Sequence, residues 1–161
     1  MHERTSHYTS NCSIARCLEI MGEKWTFLVL REAFYGVTRF ADLERILGCP
    51  RNLLADRLHL LVENGILAKK PYKDPGERTR SEYVLTAKGD RLIPALIAIL
   101  EWGDEYLTDP NGPAVFINHR GCDHPVQIEM RCVRGHKIRA VDDLEILPGP
   151  GFRLASSATT L

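Results

Sequence analysis

Apolar residues recur at helical spacing through the first two thirds of the chain and switch to alternation further on. From Cys12 to Met21 they fall at Ile14, Cys17, Leu18 and Met21, which predicts a helix with one apolar face, ended by Gly22. Cys17 on that face reads as a small buried apolar residue. Lys24 to Tyr35 predicts a second helix, with Trp25, Phe27, Leu28, Val29, Leu30 and Phe34 around much of its circumference. A segment so apolar belongs in a core or against a partner chain. A third helix is expected from Arg39 to Leu47, with Phe40, Leu43, Ile46 and Leu47 inward and Asp42, Glu44 and Arg45 in water. After a tight Gly48-Cys49-Pro50 break, Pro50 suits a first helical position, where a missing amide hydrogen costs nothing. The fourth helix then runs to about Glu63, burying Leu54, Leu58, Leu61 and Val62 while Asn52, Asp56, His59 and Glu63 point the other way.

Two strands follow, Leu67 to Tyr72 and Arg80 to Leu85, and the Pro75-Gly76 step between them marks the turn of a hairpin with a charged tip. From Thr86, a plausible N-cap, a long helix runs to about Leu107, bent or restarted at Pro94. Its apolar residues, among them Leu92, Ile93, Leu96, Ile97, Ile99 and Leu100, cover more than one face. Such a terminal helix needs a partner, and a symmetric dimer supplies one; folding back on its own domain is the alternative. Past the Pro- and Gly-containing stretch 108–113, the runs Ala114 to Ile117, Val126 to Met130 and Lys137 to Val141 suggest a small β appendage, followed by a disordered tail. The expected architecture is mostly α with a small β component (α+β). Residues 1–11 form a flexible N-terminal arm. Residues 12–107 form a winged helix-turn-helix domain with its dimerisation helix, and residues 108–161 a small β-rich appendage and tail.

Composition narrows the function. The 161 residues carry 21 basic and 21 acidic side chains, which argues against a polybasic protein that coats nucleic acid indiscriminately. Between Arg51 and Arg91, however, nine basic residues face six acidic ones. A modest local surplus suits a selective binder, because two copies double the phosphate contacts. No apolar run approaches the roughly 20 residues of a membrane span, and the first ten residues lack the apolar stretch of a signal peptide. The chain is therefore expected in the cytosol. Its five cysteines then read as reduced thiols or metal ligands before disulfides.

The segment from Arg39 to Leu67 has the outline of a helix-turn-helix, whose second helix can lie in the major groove of double-stranded DNA. Base edges are reached from the first turns of that helix, where Arg51 and Asn52 stand beside a helix N-terminus that itself favours phosphate. His59 is within reach as well. Asp56 and Glu63 on the same face repel phosphate unless one accepts from a cytosine amino group. Arg57 lies off the polar face and serves either phosphate or an internal ion pair. On the hairpin, Lys73, Arg78 and Arg80 can approach the minor groove or its phosphates. The bland reading of any one of these charges is a solvated surface.

The segments CSIARCLEIMGEKW from Cys12, RFADLERI from Arg39, LADRLHLLVENGIL from Leu54, RSEYVLTAKG from Arg80 and EWGDEY from Glu101 follow one another in an order that resembles the HxlR-type winged-helix regulators of bacteria, within the wider MarR-like group. The resemblance covers residues 10 to 107. It implies a homodimeric DNA-binding repressor or activator responding to a chemical stress or a metabolite. Cys12 matches the position where many members carry an N-terminal cysteine, which some use to sense oxidants or electrophiles; the proline that usually follows is replaced here by Ser13. A thiol near a helix N-terminus can react faster, and Cys49, just before the recognition helix, is a second candidate thiol sensor. The effector is an oxidant or a small ligand.

In the appendage, His119 and Cys122 form one knuckle-like pair, and Cys132 and His136 another, with His124 nearby. Such pairs can hold zinc, but Gly135 occupies the place of a second cysteine, and the spacing favours a relic without metal. No cofactor is otherwise expected. Two rival functions remain: a winged helix used as a protein-interaction adaptor, and a zinc-dependent enzyme. The latter lacks a phosphate-cradling glycine loop and any recognisable nucleophile motif.

Overall fold

The computed structural model describes residues 11–151. The expected N-terminal arm and C-terminal tail lie outside the described residues, Asn11 excepted. Helices α1 (Ser13–Met21), α2 (Lys24–Phe34), α3 (Phe40–Leu47) and α4 (Arg51–Glu63) are followed by strands β1 (Leu67–Tyr72) and β2 (Arg80–Leu85), then by α5 (Ala87–Asp90) and α6 (Ile93–Tyr106). Helix-rich with a single small antiparallel sheet, this is a winged helix-turn-helix.

Amphipathic spacing builds the core. α2 contributes Val29, Leu30 and Ala33, α3 contributes Leu43, and α4 contributes Leu54, Leu58 and Leu61, all buried against Ile66 and Leu67 at the start of β1. Leu54, Leu58 and Leu61 are fully enclosed, so the predicted inner face of α4 is the wall of the domain. Two glycines make the connections. Gly48 ends α3 in the left-handed region at φ 59°, and Gly65 reverses the chain after α4 at φ 65°, conformations that cost a residue with a Cβ. Pro50 occupies the N-cap of α4, one position earlier than expected, and Arg51 is the first helical residue.

β1 and β2 pair from Leu67↔Leu85 to Tyr72↔Arg80, and Gly76 at φ 80° turns the hairpin. The helix expected from Thr86 is broken. Thr86 caps α5 by accepting the Gly89 N–H at 3.1 Å, and the chain restarts at Ile93 with Pro94 in the first turn of α6, where it needs no amide partner.

Three expectations are corrected. Cys17 of α1 is exposed, not buried, as are Ile14 (72%) and Leu18 on the same stripe, because among the described residues only Met21 of that stripe packs against the core. Ile46 of α3 is exposed, since only Leu43 of that helix reaches full burial. In the appendage the expected strands are absent among the described residues. Two turns closed by single bridges, Asn118↔Pro125 and Arg131↔Lys137, take their place, and no described residue after Ile97 is buried. A segment without a core of its own cannot hold a ladder. It lies instead along α6, where Glu101 accepts the Ile128 N–H at 3.0 Å.

Candidate nucleic-acid interface

The tight turn and the buried face of α4 together decide what its other face offers. With Leu54, Leu58 and Leu61 inside, Arg51, Asn52, Asp56 and His59 are all exposed along one side. The N-cap, Pro50, has no side-chain acceptor for the first-turn amides. Those amides and the helix dipole favour an anion there. Arg51 is not loose: its guanidinium donates to Glu44 at 2.8 Å and lies 4.9 Å from the centre of the Phe40 ring, so α3 holds the first side chain of α4. His59 faces Glu63 at 3.1 Å, one turn on.

Arg57 is set apart. It is half-buried, its Nε is enclosed with no hydrogen-bond partner among the described residues, and its charge bears on the Cys49 thiol. An ion pair for it, one of the two expectations, is not formed among the described residues. Cys49 is buried, with its thiol against the Pro50 carbonyl at 3.6 Å. Burial pushes the thiol pKa up and the Arg57 charge only partly opposes this, so the thiolate that reacts with oxidants is disfavoured. Cys12 is half-buried at the N-cap of α1. Beside it, Asn11 donates to the Gly151 carbonyl at 3.2 Å, which brings the end of the appendage to the start of α1.

On the hairpin, Lys73, Arg78 and Arg80 are exposed at the tip, with Arg80 paired to Glu77 at 2.7 Å. A residue that sequence reasoning passed over, Arg39 at the N-cap of α3, joins the two halves of the surface. It forms a two-pronged pair with Asp74, both bonds 3.1 Å long, and its guanidinium lies 4.3 Å from the centre of the Tyr72 ring. Thr38 beside it donates to Glu82 at 2.8 Å, and its carbonyl accepts the Tyr83 N–H at 2.7 Å. No local spacing announces contacts between residues so far apart in sequence.

The appendage brings His119 and Cys122 together, with Nδ1 3.2 Å from Sγ, while His124 turns its Nδ1 to the Cys122 carbonyl at 2.6 Å. Cys132 and His136 sit on the other turn, their backbones joined by the Cys132 N–H to the His136 carbonyl at 3.0 Å. Among the described residues no three His, Cys, Asp or Glu side chains are grouped to hold a metal ion. Among the described residues the pairs His119–Cys122 and Cys132–His136 are not brought into one group. No helix of the described residues is long and apolar enough to cross a membrane.

A helix turned outward behind so tight a break, with a basic hairpin braced at its flank, defines a transcription regulator of the winged helix-turn-helix class: it binds DNA and is not an enzyme. The chain belongs to the HxlR-like helix-turn-helix family, whose model matches residues 20–111. It is 44% identical over 155 residues to an uncharacterized helix-turn-helix transcriptional regulator of Mycobacterium tuberculosis, covering 94% of this chain and 96% of that one. It is also similar to the crystal structure of PA1607, described there as a transcription factor by inference, at 35% identity and a TM-score of 0.76, over 87% of this chain and 96% of that one. The redox regulator HypR in its oxidized form aligns with a TM-score of 0.55 at 26% identity, over 61% of this chain and all of HypR. The relatives therefore differ in the appendage. The 155-residue match must extend into it, whereas the family model stops at residue 111.

Proposed function

We propose that this regulator acts as a homodimer on a pseudo-palindromic duplex. One α4 enters the major groove at each half-site, with half-sites about 34 Å apart or a multiple of that. Arg51, Asn52 and His59 face the base edges, and Lys73, Arg78 and Arg80 of each wing face the flanking backbone. The observation that carries this reading is the shared exposure of those side chains on the outer side of α4 and at the hairpin tip. Arg57, half-buried, contributes through the packing of α4 and not by direct contact.

The homodimer is supported by what the protomer leaves uncovered. On α6 only Ile97 is buried, while Ile99, Trp102 and Tyr106 are exposed, as are Ile14 and Leu18 of α1. A second copy is the occupant that would cover such a surface symmetrically. Signal reception would act by tilting the two α4 helices relative to each other. Cys12 is the thiol we favour as sensor, because it stands at the start of α1 beside that apolar face and because HypR, a similar fold, is named a redox regulator. Cys49, enclosed and protonated, is set aside.

The test begins with selection of duplexes from a random library by the full chain, followed by the salt dependence of binding and the mass of the species in solution. A palindromic consensus bound with a steep salt slope by a dimer is expected, with Arg51→Ala abolishing selection while leaving unfolding unchanged. A chain that enriches no sequence, or stays monomeric at working concentration, refutes the reading and leaves a protein-interaction adaptor. For the sensor, an oxidant should weaken binding in the native chain and not in Cys12→Ser.

A further inference from the structure

The wing is held at both ends, and its two attachments are of different kinds. At the base, Leu67 is buried in the core beside Leu85, and the Thr86 hydroxyl donates to the Gly65 carbonyl at 2.7 Å. At the far end, from Pro71 to Ser81, no side chain is buried among the described residues. There Pro71 faces Ser81 without an amide hydrogen to give the ladder, and a two-stranded hairpin has little stability of its own. Left to its base alone, the tip carrying Lys73, Arg78 and Arg80 would swing.

Arg39 spans to that far end. Its guanidinium reaches from the N-cap of α3 to Asp74, the second residue of the turn, through two parallel bonds of 3.1 Å, and stacks on Tyr72, the last residue of β1. Its backbone bridges to Glu82, and the neighbouring Thr38 is bonded to Glu82 and Tyr83. The planar fork of Arg fits a carboxylate in one orientation, so the contact sets an angle as well as a distance.

We propose that Arg39 is a positioning residue for DNA binding: its pair with Asp74 fixes the wing against the helix-turn-helix so that the hairpin tip and α4 meet the same duplex in register. The inference rests on the DNA-binding reading above. α3 carries both ends of the arrangement, since Arg39 at its N-cap holds the wing and Glu44 in its last turn holds Arg51. The first helix of the motif is thus a bracket that sets the recognition side chain and the wing relative to one another.

Charge alone predicts the opposite effect, which makes the proposal decidable. Asp74 is a carboxylate on the surface that would face phosphate. Its removal should tighten binding if electrostatics were the only role, and still more so if it frees Arg39 for a phosphate. The experiment compares wild type, Asp74→Asn and Arg39→Lys in the full chain, each against the duplex that wild type selects from a random library and against a scrambled duplex of equal length. Asp74→Asn is expected to lose about two- to five-fold in affinity for the selected duplex. Binding to the scrambled one should hold or tighten, so the specificity ratio falls, and hydroxyl-radical protection on the wing flank should fade while that under α4 persists. Arg39→Lys keeps the charge but not the fork and should show the same loss with an unchanged unfolding midpoint. The reversed pair Arg39→Asp with Asp74→Arg should recover part of the ratio. An Asp74→Asn chain whose ratio and wing protection are undiminished overturns the bracket alone. A wild type that enriches no duplex overturns the DNA reading and this inference with it.

Discussion

Gly89 and Gly103 both lie in helices, yet an added methyl should act on them in opposite directions. A Cβ on Gly89 would stand 2.4 Å from the Ile66 carbonyl oxygen and 2.9 Å from Leu85 Cδ2, and the nearer of these is backbone that cannot swing aside. To relieve it, α5 must lift from the start of β1. That movement strains the Thr86 bonds to the Gly65 and Ile66 carbonyls and the Lys88 ammonium bond to the Asn64 carbonyl at 2.7 Å. Overpacking of this kind costs about 1–3 kcal/mol and loss of a cap about 1 kcal/mol more. The helix propensity gained on replacing Gly returns only about 0.5–1 kcal/mol. Gly89→Ala should therefore destabilise by about 2 kcal/mol. A Cβ on Gly103 of α6 would meet no described atom within 4 Å beyond its own helix, so Gly103→Ala should keep the propensity gain and stabilise the chain. Thermal and urea unfolding at equal protein concentration would separate the two, since a dimer's midpoint depends on concentration. A Gly89→Ala midpoint at or above wild type would show that α5 is not held against β1 as described. A fall for Gly103→Ala, accompanied by dissociation, would place a second copy's backbone at that site.

Leu58→Ala removes a fully enclosed side chain between α4 and the core and should cost about 3–5 kcal/mol by chemical denaturation. Glu44→Gln releases Arg51 from its 2.8 Å pair, so affinity for the selected duplex should fall about two-fold while binding to a scrambled duplex holds or rises; tighter binding to the selected duplex would mean that Glu44 acts only as a repelling charge. In a chain keeping only Cys49 as thiol, alkylation should be slow in the native state near neutral pH, because burial lifts its pKa and leaves less thiolate than a free cysteine has, and fast in urea. Equal rates in the two states would place that thiol at the surface. Ile99→Asp on α6 should convert the proposed dimer to monomer in size-exclusion chromatography, and an unaltered elution volume would move the interface elsewhere.

Local periodicity carried the winged domain well. The inner face of α4, both strand spans and the Thr86 cap follow from spacing and turn chemistry, since each depends on neighbours within a few positions. It failed where the deciding partner is distant or on another chain. Cys17, sharing a face with Ile14 and Leu18, read as buried because spacing reports which residues share a face, not whether anything covers it. The alternating runs of the appendage read as strands, but without an underlying core they form only isolated bridges. For the surface proposed to face DNA, Arg51, Asn52, His59 and the wing cations were legible as exposed polar positions on a recognisable motif. Arg39 was not, because its partner Asp74 belongs to a turn reached only after the whole helix-turn-helix has folded.

The order of apolar and polar residues, with glycines at the reversals, by itself determined the helices, the hairpin and hence the kind of molecule, because amphipathic faces and left-handed turns are properties of short segments. Tertiary structure alone decided which charges are held and which are presented. Glu44 takes Arg51, Asp74 takes Arg39, Cys49 is buried, and Arg57 of α4, half-buried, bears on its thiol. These outcomes depend on how separately formed elements approach one another, and burial and pairing energies act only once they have met.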